Sequence, residues 1–148
     1  MKKMILLALI LALFMLSSCA EIEETSAQEV ANQLFEYIEN GDYTSASALF
    51  CANEDEGKSF SEFLDEAETE TGLDFQSNIE ILEYSEYHSE PNSYFGVVCA
   101  DFNVKVIIDG KEMTVSVGVL ENEDSIECYQ FVIHTENKDH QFLCDYID

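Results

Sequence analysis

The chain has 148 residues, 31 of them acidic and six basic, all lysine, for a formal charge of −25. So negative a surface repels phosphate backbones and excludes nucleic acid as a partner. The absence of arginine removes the usual bidentate clamp for phosphate or carboxylate ligands, so a cationic, neutral or protein partner fits better. Acidity of this kind can accompany disorder, but hydrophobic residues make up 47% and aromatics 11% of the chain, enough for a core.

Met1-Lys2-Lys3 opens the chain, and residues 4–16 follow without a charge or strongly polar group. As a helix this run spans about 20 Å, against about 30 Å of membrane hydrocarbon. Ser17, Ser18 and Cys19 end it, and Glu21, Glu23 and Glu24 come at once. The pattern reads as a cleaved export signal rather than a lasting span.

Leu16-Ser17-Ser18-Cys19 has an aliphatic residue, two small residues and a cysteine directly after that run. It resembles the lipobox of bacterial lipoproteins. The resemblance implies cleavage before Cys19, a diacylglyceryl group on its thiol, and anchoring to the extracytoplasmic face of the cell membrane. Two acyl chains suffice for stable anchoring. The expected organisation is a signal peptide over 1–18, a lipidated cysteine and short tether over 19–25, and one domain over 26–148.

Within that domain, Ser26 and Glu29 fit a capping box. Ala27, Val30, Ala31, Leu34, Phe35 and Ile38 then form one helical face, which Gly41 stops. Asp42 is placed to cap a shorter helix bearing Tyr43, Ala46, Leu49 and Phe50. Residues 53–57 read as an acidic loop. Ser59 and Glu62 repeat the capping box before Phe60, Phe63, Leu64 and Ala67, and Gly72 ends this third helix.

Beyond Gly72 the apolar period falls to two. Strands are expected over 79–88, 94–108, 113–120, 126–134 and 141–147, with a turn over 89–93. Asp109-Gly110 signals a two-residue hairpin. Its register would set Ile108 against Lys111, Val106 against Met113, Val104 against Val115, Phe102 against Val117 and Ala100 against Val119. A one-residue slip would mix the two faces. In the next strand Tyr129, Phe131 and Ile133 are expected on one side.

Helices first and an antiparallel meander after them make an α+β domain, with the N-terminal helices packed on a curved sheet. Gly41-Asp42-Tyr43, followed by Ala46, Leu49 and Phe50, resembles the turn into the second helix of the nuclear-transport-factor-2-like, or cystatin-like, superfold, which includes SnoaL-like domains. The resemblance implies a cone between sheet and helices that holds a ligand. The final strand departs from it in having no tryptophan.

Chemistry is sparse. There is no GxSxG, P-loop, HExxH or SxxK motif, so no catalytic residue is assigned. His88 and His134 are expected near strand ends and His140 in a turn, all at the surface. Asp101 falls on the polar face of the long hairpin. Tyr84, Tyr87 and Tyr94 gather around Pro91, as a binding lip or as a cover for the cone. The acidic stretches 53–56 and 122–124 lack the EF-hand pattern, and no metal or cofactor is expected. Cys51, Cys99, Cys128 and Cys144 remain after Cys19; in an exported chain one or two disulfides are expected, with three full pairings open. The favoured reading is a membrane-anchored module that binds a small ligand or an envelope protein through its concave sheet or cone. A small isomerase, dehydratase or hydrolase using an acidic or tyrosine residue in the cone is one alternative. A subunit that forms a homodimer through its sheet is the other.

Overall fold

A computed structural model of the chain describes residues 21–51 and 58–144. The signal, Cys19, the acidic loop over 53–57 and the end of the last expected strand lie outside the described residues. Among the described residues, three helices precede five strands: α1 (Glu24–Glu39), α2 (Tyr43–Ala48), α3 (Phe60–Thr71), then β1 (Ile79–Asn92), β2 (Val97–Ile108), β3 (Lys111–Asn122), β4 (Ser125–His134) and β5 (Asp139–Leu143). The strands form one antiparallel sheet in the order β1-β2-β3-β4-β5. No helix among the described residues is long and apolar enough to cross a membrane.

The local signals explain most element ends. Ser59 and Glu62 cap each other's backbone N–H at α3, and Gly72 closes that helix at φ +70°. The Asp42 side chain accepts from the Ser45 N–H at 3.1 Å and starts α2. The helix α1 begins earlier than the Ser26 capping box implied. Its N-cap is Glu23, and no side chain caps it. The cause is upstream: Ile22 is already buried against β1, so the chain turns into helix as soon as it leaves that contact.

The β2–β3 hairpin has the expected register, including Val104 against Val115 and Phe102 against Val117. Asp109 and Gly110 both take positive φ, as a two-residue loop of the primed type requires. The strand β1 is longer than expected. Residues 89–92 pair with Val97 to Ala100, so the turn lies at 93–96 rather than over 89–93. Pro91 is tolerated because β1 is an edge strand.

One face of the sheet carries Phe102, Val104, Val106, Val115, Val117, Phe131, Ile133 and Phe142, all buried under the helices. Phe60 of α3 is central. Its ring lies 5.5 Å from Phe50, 5.7 Å from Phe63, 6.3 Å from Phe131 and 5.0 Å from Phe142. Such tilted and edge-on rings fill the space between sheet and helices with carbon. The interior is a packed core there.

Two expected placements are corrected. A bulge opposite Gly118 and Val119 makes Tyr129 an extra residue in β4. It leaves the side of Phe131 and Ile133 and lies on the outer face of the sheet, its ring over Gly118. His140 is not in a surface turn. It is 5% exposed in β5, and its Nε2 lies 2.8 Å from Glu70 Oε2. Glu70 also accepts from the Thr135 hydroxyl at 3.0 Å, so the end of α3 is tied to the β4–β5 hairpin. Desolvation pushes the Glu70 carboxyl up, but the hydrogen bonds from Thr135 and His140 outweigh it and hold the group below the usual range.

Cys51 and Cys144 form a disulfide across 93 residues of sequence. Cys99 and Cys128 are buried free thiols. The disulfide, Cys99 and Leu120 make a small second core, flanked by Phe95, Val97 and Tyr129.

Candidate functional site

The outer face of the sheet is polar, and its residues are linked. The register places Asn103 beside Ser116 and sets His134 against Asp139. His134 lies diagonally across from Ser116, within reach of a longer side chain. At the β1 edge, the bulge between Ser85 and His88 turns Glu86 toward Asn103.

A row of four hydrogen bonds follows, crossing all five strands. Asn103 Nδ2 donates to Glu86 Oε2 at 2.6 Å. Ser116 Oγ donates to Asn103 Oδ1 at 2.6 Å. Ser116 Oγ and His134 Nε2 are 2.7 Å apart, and His134 Nδ1 is 3.0 Å from Asp139 Oδ1. The row borders a groove of about 380 Å³ whose walls also include Asp101, Gln130 and Gln141.

Ser116, His134 and Asp139 are connected in the order of a serine nucleophile, its base and an orienting carboxylate. Proton counting gives the opposite polarity. The Glu86 carboxylate only accepts, so the Asn103 amide turns its NH₂ that way and its carbonyl toward Ser116. The Ser116 hydroxyl donates to that carbonyl. A serine with its proton pointed away from the imidazole is not poised to attack. Ser116 also lies in a central strand, whose N–H groups serve the ladders to β2 and β4.

What the row offers instead is negative charge and acceptor oxygens on a fixed surface. Glu86, Asp101 and Asp139 line the groove, and among the described residues no lysine does. Lys105, on the same face, is paired with Glu112 at 2.8 Å.

Beside the groove, Tyr129 donates its hydroxyl proton to Asp101. Burial, and then the Asp101 carboxylate, push the phenol well above its ordinary range. Gly118 permits this arrangement. A Cβ there would fall 2.6 Å from the Tyr129 ring and 2.8 Å from Asp101 Oδ1. Asp101 is thus an acceptor with a fixed partner rather than a simple solvated carboxylate.

The other candidates are dispersed. His88 is exposed, 3.3 Å from Glu90. The expected tyrosine cluster divides. Tyr84 donates to Asn32 of α1 at 2.6 Å, Tyr87 donates to the Ile22 carbonyl, and only Tyr94 stays exposed. No group of acidic, histidine or cysteine side chains among the described residues is arranged to hold a metal ion. A larger groove, about 730 Å³, lies between α2, the start of α3 and the β3–β4 end, with Tyr43, Phe50, Phe60 and Glu127 in its lining. Residues 52–57, which fall in sequence between its lining residues Phe50 and Ser59, lie outside the described residues, so no site is assigned there.

The row was not visible as a motif, because its members come from five strands. One signal was available for its neighbour: Gly118 interrupts an apolar strand, as a close approach of another group requires. No protein-family model and no curated protein matches this chain.

Proposed function

We propose that this protein is a lipid-anchored extracytoplasmic binding module, held to the membrane through Cys19, which takes a cation-bearing ligand or protein segment on the outer face of its sheet. The lipobox-like run at Cys19 supports the anchor. The Cys51–Cys144 disulfide fits an exported chain, since such bonds persist in oxidising compartments. The order of helices and strands is compatible with a cystatin-like arrangement. In this chain, however, the space a cone would offer is occupied by Phe60 and its neighbouring rings.

The observation that carries the binding reading is the row Glu86–Asn103–Ser116–His134–Asp139. It is preorganised, predominantly anionic and open to solvent. Preorganisation lowers the ordering cost of binding. The filled interior weighs against an enzyme with its acid or base in the cone: the buried His140 is taken up by Glu70, and the buried Cys128 thiol is enclosed among apolar side chains. The polar outer face also weighs against a homodimer through the sheet, which calls for an apolar patch.

Titration of the isotope-labelled lipidated protein in detergent with trilysine peptide tests this. Backbone shifts are expected to concentrate at Asn103, Ser116, His134 and Gln141, and to be lost in Glu86→Gln/Asp139→Asn. Shifts spread evenly over all acidic surfaces, unchanged in that variant, would overturn the assignment.

A further inference from the structure

The buried Ile22 fixes where the tether joins the domain. Its N–H donates to Ser89 Oγ at 2.9 Å, and its carbonyl accepts from the Tyr87 hydroxyl. Both partners lie near the end of β1, which stops at Asn92. Asn92 is three positions beyond Ser89, so the pinned point is about 10 Å from the β1–β2 turn. Cys19 is three residues before Ile22 and reaches at most about 10 Å beyond it. The hairpin at Asp109-Gly110 lies beyond the other end of β2, nine residues past Ala100, the partner of Ser89, so about 30 Å from the pinned point. A lipid on Cys19 therefore holds the β1–β2 end of the sheet close to the bilayer.

The near end presents an aromatic pair. Tyr94 is 63% exposed, more than the other exposed large hydrophobic, Leu82, at 43%. Its ring stands edge-on to Phe95 at 5.5 Å, and Phe95 packs on Tyr129 at 5.5 Å. The turn is held from within. Asn92 Oδ1 accepts from the Tyr94 N–H at 2.9 Å, and the Asn92 carbonyl accepts from the Gly96 N–H at 2.8 Å. A tyrosine on such a support has an apolar ring and a polar tip, which suits the headgroup layer of a membrane. Glu90 and the Glu123-Asp124 turn share this end of the sheet, so a zwitterionic surface suits it better than an anionic one.

We propose that the Tyr94–Phe95 turn is a membrane-contact element, which rests in the zwitterionic headgroup layer of the bilayer that carries the Cys19 lipid. It rests on the lipid-anchor reading above. The contact stands the domain on its β1–β2 turn and leaves the row from Glu86 to Asp139 facing sideways, open to a partner in the envelope.

The chain has no tryptophan, so Tyr94→Trp and Lys111→Trp each introduce a single reporter, one at each end of the sheet. Both are prepared as the full lipidated protein and reconstituted into phosphatidylcholine vesicles with and without brominated lipid. Tyr94→Trp is expected to shift its emission to shorter wavelength on reconstitution and to lose intensity with brominated lipid, while Lys111→Trp does neither. Vesicle-bound Tyr94→Trp that emits like Lys111→Trp and is not quenched would overturn the contact alone. Failure of both variants to float with the vesicles would overturn the anchor, and the contact with it.

Discussion

Removal of the Cys51–Cys144 bond should be the most costly covalent change available to the domain. The two cysteines are 93 residues apart, and the loop they close contains α3 and every strand. Chain-entropy reasoning for a loop of that length assigns the cross-link about 4.6 kcal/mol, mainly by restricting the unfolded chain. That is a large share of the total for a domain of this size, where about 5–15 kcal/mol is usual. Both sulfurs are nearly fully buried, so Cys51→Ala/Cys144→Ala also loses some packing. Reduced wild-type protein keeps that packing and isolates the cross-link. Urea unfolding of oxidised and reduced protein, followed by circular dichroism, gives the comparison. The expected result is a loss of about 4–5 kcal/mol on reduction, with a steeper dependence on urea because the released chain exposes more surface. A loss below about 1 kcal/mol with an unchanged slope would refute the reasoning.

Other outcomes follow from the outer face and the core. Gly118→Ala should cost about 1–3 kcal/mol by forcing its new methyl against the Tyr129 ring; Tyr129→Ala in the same chain should recover part of it, and strictly additive losses in thermal melts would contradict the contact. Burial pushes the Cys128 thiol up from the usual 9.0 to about 12. A raised value favours the neutral form in the folded state, so this contribution is complete below pH 9 and declines as pH rises toward 12. The slope is at most about 1.4 kcal/mol per unit, and Cys128→Ala should flatten the loss in urea midpoints measured from pH 8 to 11. Ser116 should resist fluorophosphonate labelling, because its proton is directed to Asn103; labelling at Ser116 that disappears in His134→Ala would show a working nucleophile.

The parts of this fold that were legible in the sequence are those set by neighbours in the chain. Asp109-Gly110 and the alternation on either side of it define one register, and Ser59 with Glu62 defines one helix start. Long-range contacts decided the rest. Ile22 is buried by Ser89 and Tyr87, residues more than sixty positions away, and that contact moved the start of α1. His140 shares the two-residue period of Phe142 and Cys144, which places it inward; its partner Glu70 is 70 residues distant and leaves no local trace. Tyr129 changed faces because of a bulge, and Gly118 was its only sequence sign. The row from Glu86 to Asp139 depends on that same sheet register and on a second bulge in β1. Its residue types are ordinary on a solvated sheet face; their alignment across five strands is what distinguishes them.

The anchor on Cys19 underlies both the proposed location and the orientation at the membrane. Mass spectrometry of the intact protein extracted from membranes tests it most directly. The account requires a chain that starts at residue 19 and carries the added mass of a diacylglyceryl group on that cysteine. A chain that retains Met1, or one that starts elsewhere with an unmodified Cys19 thiol, would contradict it.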